Sequence, residues 1–368
     1  MDEEKINIPA GKSRILIAPL DWGLGHATRC IPIINELLAN NCEVLVAAEN
    51  GTKSLLQKEF PQLVFLPLAG YRIKYSYQRS LFPLKILLQS PGLIYSICKE
   101  HHWLKKTVKT YNIDAVISDN RFGLFHSSIP SVYITHQLLI KTGNNFGEKI
   151  AQKIHYWFIK KYSICWVPDF EGDNNIAGEL SHPKKKLPGV IYLGGLSRFE
   201  KKPSIEKKYD LVISISGPEP QRSLFENILL NQLQSFKGNV LFARGLPGEI
   251  SIKENSNKSV HIVNHLSSKE LSIAFQQATY IISRSGYTTV MDLICLQQNA
   301  ILVPTPGQTE QEYLAKYLTD QKIFFYVEQD NFLLEDVLNQ AEKFPFNISQ
   351  FDMQQYKIIV KQFVESLR

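Results

Sequence analysis

The sequence predicts an α/β protein built from two doubly wound domains in tandem. Three observations carry that expectation. Short apolar runs alternate with stretches of helical periodicity through both halves of the chain. The 368 residues exceed what one core of ordinary size organises. A polar stretch rich in Gly, Pro and Lys, 169–189, is followed by a charged one, Glu200 to Lys208, and separates the two series.

In the first series, Arg14 to Pro19 reads as a strand, followed by the turn Asp21-Trp22-Gly23-Leu24-Gly25-His26. Ile31, Ile34, Leu37 and Leu38 then recur at helical spacing. Pro32 lacks an N–H and clashes with the preceding turn, so the expectation is an irregular first turn or a helix starting near Ile31. Val44 to Ala48 and Leu63 to Leu66 are the next strands, with a short helix, Lys53 to Phe60, between them. Tyr71 to Tyr111 breaks the rhythm with aromatics and interleaved Lys and Arg. It reads as a loop and two helices around Pro91-Gly92. Its basic aromatic surface is either a solvated face over a packed core or a peripheral membrane contact. Strands resume at Ala115 to Ser118, ending at Asp119, and at Val132 to Thr135, ending at His136-Gln137. A helix from about Phe146 to Lys161 and the run Ile164 to Val167 close this half.

The second series has strands at Leu211 to Ile215, Val240 to Ala243, Val260 to Val263, Tyr280 to Ser283, Ala300 to Val303 and Phe324 to Val327, with helices between them. A last helix runs from Tyr356 to Leu367. The expected domains are 1–195 and 196–349, with 350–368 returning to the first.

Composition narrows the function class. Hydrophobic content of 44% with 21% charged residues is that of a soluble globular protein. The net charge of +6 is spread in short runs, which argues against nucleic acid as a partner and leaves an anionic substrate open. Five cysteines without a C-x-x-C pair exclude a disulfide framework and a zinc ribbon. No signal peptide is expected from the polar residues 1–12, and no run of about twenty apolar residues predicts a membrane-crossing helix. The expected location is the cytoplasm, at the inner face of the membrane if the basic aromatic segment docks there.

One stretch carries a specific chemical signal. Ser283-Arg284-Ser285-Gly286-Tyr287-Thr288-Thr289 joins an apolar strand to the helix of Val290, Leu293 and Ile294. Unpaired N–H groups and the helix dipole favour an anion at such a turn. Gly286 admits close approach to the backbone, Ser285, Thr288 and Thr289 offer hydroxyls, and Asp292 is at a reach that suits a ribose diol. Taken alone, the stretch is equally an ordinary turn with a capping hydroxyl.

With neighbouring motifs added, the second half resembles the nucleotide-sugar-binding domain of glycosyltransferase family 28. Arg284-Ser285-Gly286 with Asp292 eight positions after the Arg matches the family spacing, where the acidic residue is Glu. Pro304-Thr305-Pro306 leads to Gln311 and Glu312, where the family has two glutamines against the donor sugar, and Leu314 stands where it has Asn. Ser216-Gly217 falls at the diphosphate loop, Arg198 at the end of the interdomain segment and Val263 in the base-reading segment. Gly23-Leu24-Gly25-His26 looks like the Gly-x-Gly-His turn of the same superfamily, and Gln137 matches an acceptor-side Gln, with Leu138 in place of the usual Asn. The string Gly25-His26-Ala27-Thr28-Arg29-Cys30 is also similar to UDP-sugar hydrolases of the pseudaminic acid pathway.

The resemblance implies the GT-B architecture: two facing Rossmann-like domains with a cleft between them. It also implies inverting transfer of a hexosyl or N-acetylhexosaminyl group from a nucleotide sugar, a UDP-sugar above all, to a lipid-linked or saccharide acceptor in cell-envelope glycan synthesis. His26 is then the general base, with Asp21 and Asp119 as helpers or substitutes. No Asp-x-Asp pair lies in either cleft-facing turn, so no metal or other cofactor is expected. The alternatives are a nucleotide-sugar hydrolase or epimerase and a non-catalytic nucleotide-sugar-binding protein.

Overall fold

The computed structural model describes residues 12–71, 82–141, 145–185, 187–246 and 256–368, with the side chains of 82–91, 145 and 146 left aside. Two parallel sheets dominate it. In the first, β1 (Arg14–Pro19), β2 (Glu43–Ala47), β3 (Val64–Leu66), β4 (Ala115–Asp119), β5 (Ser131–Ile134), β6 (Ile164–Val167) and β7 (Val190–Tyr192) lie in the order β3-β2-β1-β4-β5-β6-β7. In the second, β8 (Tyr209–Ser214), β9 (Val240–Ala243), β10 (Val260–Val263), β11 (Ala278–Ser283), β12 (Ala300–Leu302) and β13 (Phe325–Tyr326) lie in the order β10-β9-β8-β11-β12-β13. Both orders reverse direction beside their first strand, between β1 and β4 and between β8 and β11. In open parallel sheets, ligands bind at the carboxyl ends of strands at such a switch point.

The strands form where apolar runs are buried on both faces. Ile15, Leu16, Ile17, Val116 and Ile117 are all inaccessible, as are Leu211, Val212, Ile213, Ile281 and Ile282 in the second sheet. β7 falls outside the expected strands. It is only three residues long, partly exposed, and pairs with β6 at the sheet edge.

Helix α1 (Leu24–Ala39) departs from expectation. It runs unbroken through Pro32, starting seven residues before Ile31. A helix-interior proline costs about 3 kcal/mol. Burial of Ala27, Cys30, Ile31, Ile33, Ile34 and Leu37 outweighs that, because each large apolar side chain contributes roughly 1.5–3 kcal/mol. The helix lies between its sheet and the chain's last helix, α10 (Gln355–Glu365), whose Val360, Phe363 and Val364 join the same apolar cluster. Phe363 meets Trp166 of β6 edge-on, with ring centroids 5.3 Å apart.

The segment expected as two helices is a single one, α3 (Phe82–Tyr111), following α2 (Asn50–Glu59) and β3. Pro91-Gly92 does not end it. Its inner face is tied down: Ile97 and Leu104 are buried, and Glu100 accepts a hydrogen bond from the Tyr71 hydroxyl at 2.6 Å. Ile94 and Tyr95 stay exposed on the outer face. The expected loop residues Arg72, Lys74, Tyr75, Tyr77 and Arg79 lie outside the described residues. The remaining helices are α4 (Asn145–Ile159), α5 (Gln221–Leu233), α6 (Ser268–Gln276), α7 (Tyr287–Leu296), α8 (Thr309–Asp320) and α9 (Leu334–Lys343). No helix among the described residues is long and apolar enough to cross a membrane.

Candidate active site

The two switch points face each other. On the first, the chain leaves β1, turns at Gly23, and enters α1 without a side-chain cap. Gly23 has φ +144°, a region that L side chains rarely adopt, so the turn requires glycine there. His26 sits on the first turn of α1, with Arg29 three residues on, which places both on one face of the helix. That face meets the end of β4. His26 Nδ1 is 3.1 Å from Asp119 Oδ2, and Arg29 Nε donates to the same oxygen at 2.8 Å. Arg29 also bonds Asp119 Oδ1, and its Nη2 lies 2.8 Å from His26 Nδ1.

This geometry separates the three acid–base candidates. Asp119 is fully buried with both oxygens engaged, so it anchors the site and does not reach a substrate. Burial alone would raise its pKa, but Arg29 and His26 outweigh that and hold the carboxyl at about 2. Asp21 does not approach His26 through any hydrogen bond. It is wedged against Gly70, where an added Cβ would come within 1.8 Å of its carboxylate, and its Oδ1 is buried without a partner. His26 keeps a partly exposed ring. Its pKa is lowered by burial, pulled back up by Asp119 and pushed down again by Arg29.

On the facing switch point, β8 ends at the exposed turn Ser216-Gly217, and β11 ends at Arg284 to Gly286 before α7. Gly217 has φ +113°, and a Cβ there would lie 3.6 Å from Thr305 Oγ1. Gly286 is the uncapped N-cap of α7, and a Cβ added to it would meet nothing within 4 Å. The space beside this helix start is therefore open. Buried Ser283 Oγ, Arg284 Nε and Thr305 Oγ1 have no hydrogen-bond partner, so unsatisfied donors gather at the ends of β11 and β12. The two helix starts meet directly, with Thr288 Oγ1 donating to the Gly25 carbonyl at 3.1 Å.

Comparison with known proteins decides what this arrangement belongs to. The glycosyltransferase family 28 C-terminal domain matches residues 234–366. The UDP-N-acetylglucosamine–N-acetylmuramyl-(pentapeptide) pyrophosphoryl-undecaprenol N-acetylglucosamine transferase of Rickettsia akari is 24% identical over 262 residues, covering 62% of this chain and 67% of that protein. Its counterpart in Haemophilus ducreyi is 28% identical over 333 residues, covering 86% of this chain and 85% of that protein. Among solved structures, the MurG of Acinetobacter baumannii aligns over 97% of this chain and 99% of its own, at TM-score 0.52 and 15% identity. Residues 234–366 thus resemble a glycosyltransferase family 28 C-terminal domain, on a chain of the GT-B fold.

Several residues expected to contact a donor have partners within the chain. Arg284 is 1% exposed, and its Nη1 and Nη2 donate to the carbonyls of Val303, Pro304 and Gln221 and to Gln329. It clips strand ends together, and only its Nε is left over. Asp292 is 3% exposed and accepts from Ser197 Oγ at 2.6 Å, with Arg198 Nε 3.6 Å away. Its carboxylate holds the interdomain segment. Arg198 turns outward to Ser268 Oγ at 3.0 Å. Gln311 and Glu312 fold back on their own loop, accepting from the backbone N–H groups of Thr305 and Gly307, each at 2.9 Å. Ser285 Oγ donates to the Gln311 carbonyl at 2.8 Å, which ties that loop to the α7 turn. Val263 ends β10, two strands away from β8. Thr289 stays partly exposed beside Thr288.

Tyr287 faces the other domain. Its ring stacks on His136 with centroids 4.0 Å apart and 8° between planes, and its hydroxyl donates to the Pro168 carbonyl. His136 in turn links Arg29 Nη1, at 2.9 Å from its Nδ1, to Glu310 Oε1, at 2.7 Å from its Nε2. Gln137 Nε2 donates to the other Glu310 oxygen. Neither Arg29 nor Glu310 is among the expected site residues. For Arg29 the available signal was its i, i+3 spacing from His26; Glu310 reads from sequence as an ordinary acidic residue in a helix's first turn.

The electrostatics set a pH dependence. For a general base at His26 the deprotonated ring is the working form, and its pKa is lowered from 6.5. The acidic limb of kcat/KM is therefore expected below pH 6.5, with a plateau through neutrality. Arg29→Met removes a charge that disfavours His26 protonation and should shift that limb to higher pH. A pH–rate profile of both proteins checks the sign; a limb that stays put or moves down would contradict it.

Proposed function

We propose that the transferase moves a hexosyl or N-acetylhexosaminyl group from a UDP-sugar to an acceptor hydroxyl, with His26 as general base and inversion at the anomeric carbon. The observation that carries this reading is the direct meeting of two helix starts. One bears a partly exposed histidine held by a buried carboxylate, and the other opens at Gly286 onto unfilled space. The His26 ring takes the hydroxyl proton as the acceptor oxygen bonds to the anomeric carbon. The bond from that carbon to the β-phosphate oxygen breaks, and its electron pair leaves with UDP. Such base catalysis contributes roughly 10²–10⁴-fold. Backbone N–H groups at Ser216-Gly217 and Gly286-Tyr287, with the Thr288 and Thr289 hydroxyls, meet the developing negative charge, and no metal is required.

The relatives' names supply the donor class, UDP-N-acetylglucosamine, and a lipid-linked acceptor class. An acceptor of that kind fits the outer surface of the first domain. Ile94 and Tyr95 of α3 are exposed, as are Ile150, Ile154 and Trp157 of α4, a stripe at helical spacing among lysines. We read this face as a peripheral membrane contact at the inner, cytoplasmic leaflet. A second reading, hydrolysis of the nucleotide sugar, draws on Arg29, which lies in the hydrolase-like string and at the centre of the observed network. Rapid UDP release without any acceptor would favour it.

Gly286→Val tests the donor site cleanly. Its φ of −67° and ψ of 137° suit a valine, and the added Cβ meets no protein atom within 4 Å, so the fold should tolerate it. The branched side chain then fills the space beside the helix start. Calorimetric titration should show UDP binding weakened at least tenfold with an unchanged melting temperature. Unaltered UDP affinity would remove the site from this turn.

A further inference from the structure

Asp292, the sixth residue of α7, is buried against the segment that joins the two domains. It lies about 9 Å along the helix axis from Gly286, within reach of a nucleoside whose diphosphate rests on the helix start. Distance does not keep it from a ribose; its partners do. Ser197 Oγ donates to its Oδ1 at 2.6 Å, and Arg198 Nε lies 3.6 Å from its Oδ2. Ser197 is fixed in turn, its Oγ accepting from the Phe199 N–H at 3.0 Å. One turn further along α7, Cys295 Sγ donates to the Phe199 carbonyl at 3.1 Å. Residues 197–199 therefore run along the Asp292–Cys295 face of the helix. On either side of them, Leu196 is buried in the core of the first domain and Phe199 in that of the second. Arg198 is also held from its far side. Its Nη1 donates to Ser268 Oγ of α6 at 3.0 Å, and that hydroxyl donates to Glu59 Oε1 of α2 at 2.6 Å. Asp292 thus ends a network that joins α7, the interdomain segment, α6 and α2.

Turning this carboxylate toward a ligand is unfavourable. Burial raises its pKa, and the Arg198 charge opposes that rise, so its ionised form depends on this neighbour. A ribose hydroxyl is neutral and cannot replace the charge of Arg198, and separating a buried charge pair is costly. We propose that Asp292 anchors the interdomain segment and that the donor site does not select for the ribose 2′-hydroxyl: it takes 2′-deoxyribonucleoside diphosphates, and their sugars, as readily as the ribonucleotides. The inference rests on the donor lying at the α7 turn. Recognition then falls to the diphosphate and the base, and the class of donors is wider than the uridine nucleotides.

Calorimetric titration of the full, unmodified chain with UDP and with 2′-deoxyuridine 5′-diphosphate isolates the one hydroxyl. The two Kd values should agree within about threefold. A carboxylate that accepted the 2′-hydroxyl would lose a charge-assisted hydrogen bond with the deoxy ligand, a loss of about tenfold or more in affinity. A deoxy ligand weaker by that factor overturns the inference. Binding of neither ligand overturns the donor site at the α7 turn and this inference with it; UDP bound without its deoxy analogue overturns this inference alone. Asp292→Asn supplies a second readout. Its melting temperature should fall, because Arg198 loses the charge beside it, while UDP and its deoxy analogue change in affinity by the same factor. A variant that loses UDP affinity by about tenfold and keeps that of the deoxy analogue would return the ribose to Asp292.

Discussion

His26→Ala is expected to lower sugar transfer by roughly 10²–10⁴-fold while leaving UDP affinity within about twofold. The asymmetry follows from where the residue sits. His26 belongs to the first domain, whereas the expected donor contacts, Ser216, Gly217 and Gly286, belong to the second. Removing its ring also leaves the buried charge pair intact, since Arg29 still holds both oxygens of Asp119. The melting temperature should therefore barely change. Steady-state rates together with calorimetry check this. A variant with wild-type kcat would place the base elsewhere, and one that lost UDP binding as well would mean His26 touches the donor.

Asp119→Asn is expected to damage stability and activity together. The carboxylate is fully buried and neutralises Arg29, itself 3% exposed, with Cys30 close behind at 3.9 Å. Removing one partner of a buried pair leaves an uncompensated charge, which typically costs 3–5 kcal/mol. Denaturant titration should show a loss of that order, and transfer should fall because His26 loses the carboxylate that positions its ring. The compensating change is informative. Arg29→Met with Asp119→Leu removes both charges at similar volume and should regain most of the stability but none of the activity. A destabilisation under 1 kcal/mol for Asp119→Asn would mean that the pair is not the anchor described.

Most strands were legible in the sequence because strands buried on both faces read as uninterrupted apolar runs, as in Leu211-Val212-Ile213. The misses have local causes. Pro32 and Pro91-Gly92 are helix breakers by intrinsic preference, yet α1 runs on between a sheet and α10, and tertiary burial decides against propensity. β7 carries no apolar run because it is a short edge strand. In the site, the Gly23 and Gly286 turns were readable, since a positive φ and an uncapped helix start are written in neighbouring residues. Arg284 and Asp292 read from sequence as ligand contacts, and in the structure they hold the strand ends and the interdomain segment. The Arg29–His136–Glu310 chain was not readable: its links join residues 107 and 174 positions apart, and nothing local marks them.

In the proposed function a nucleotide sugar lies at the β8–β11 switch point, facing His26 across the cleft. A crystal structure of the His26→Ala chain with UDP-N-acetylglucosamine tests it most directly, because that variant should bind the donor without consuming it. The diphosphate should lie on the backbone N–H groups of Ser216-Gly217 and Gly286-Tyr287, with the anomeric carbon turned toward position 26. Donor density at the ends of β1 and β4, or a diphosphate remote from Gly286, would contradict it.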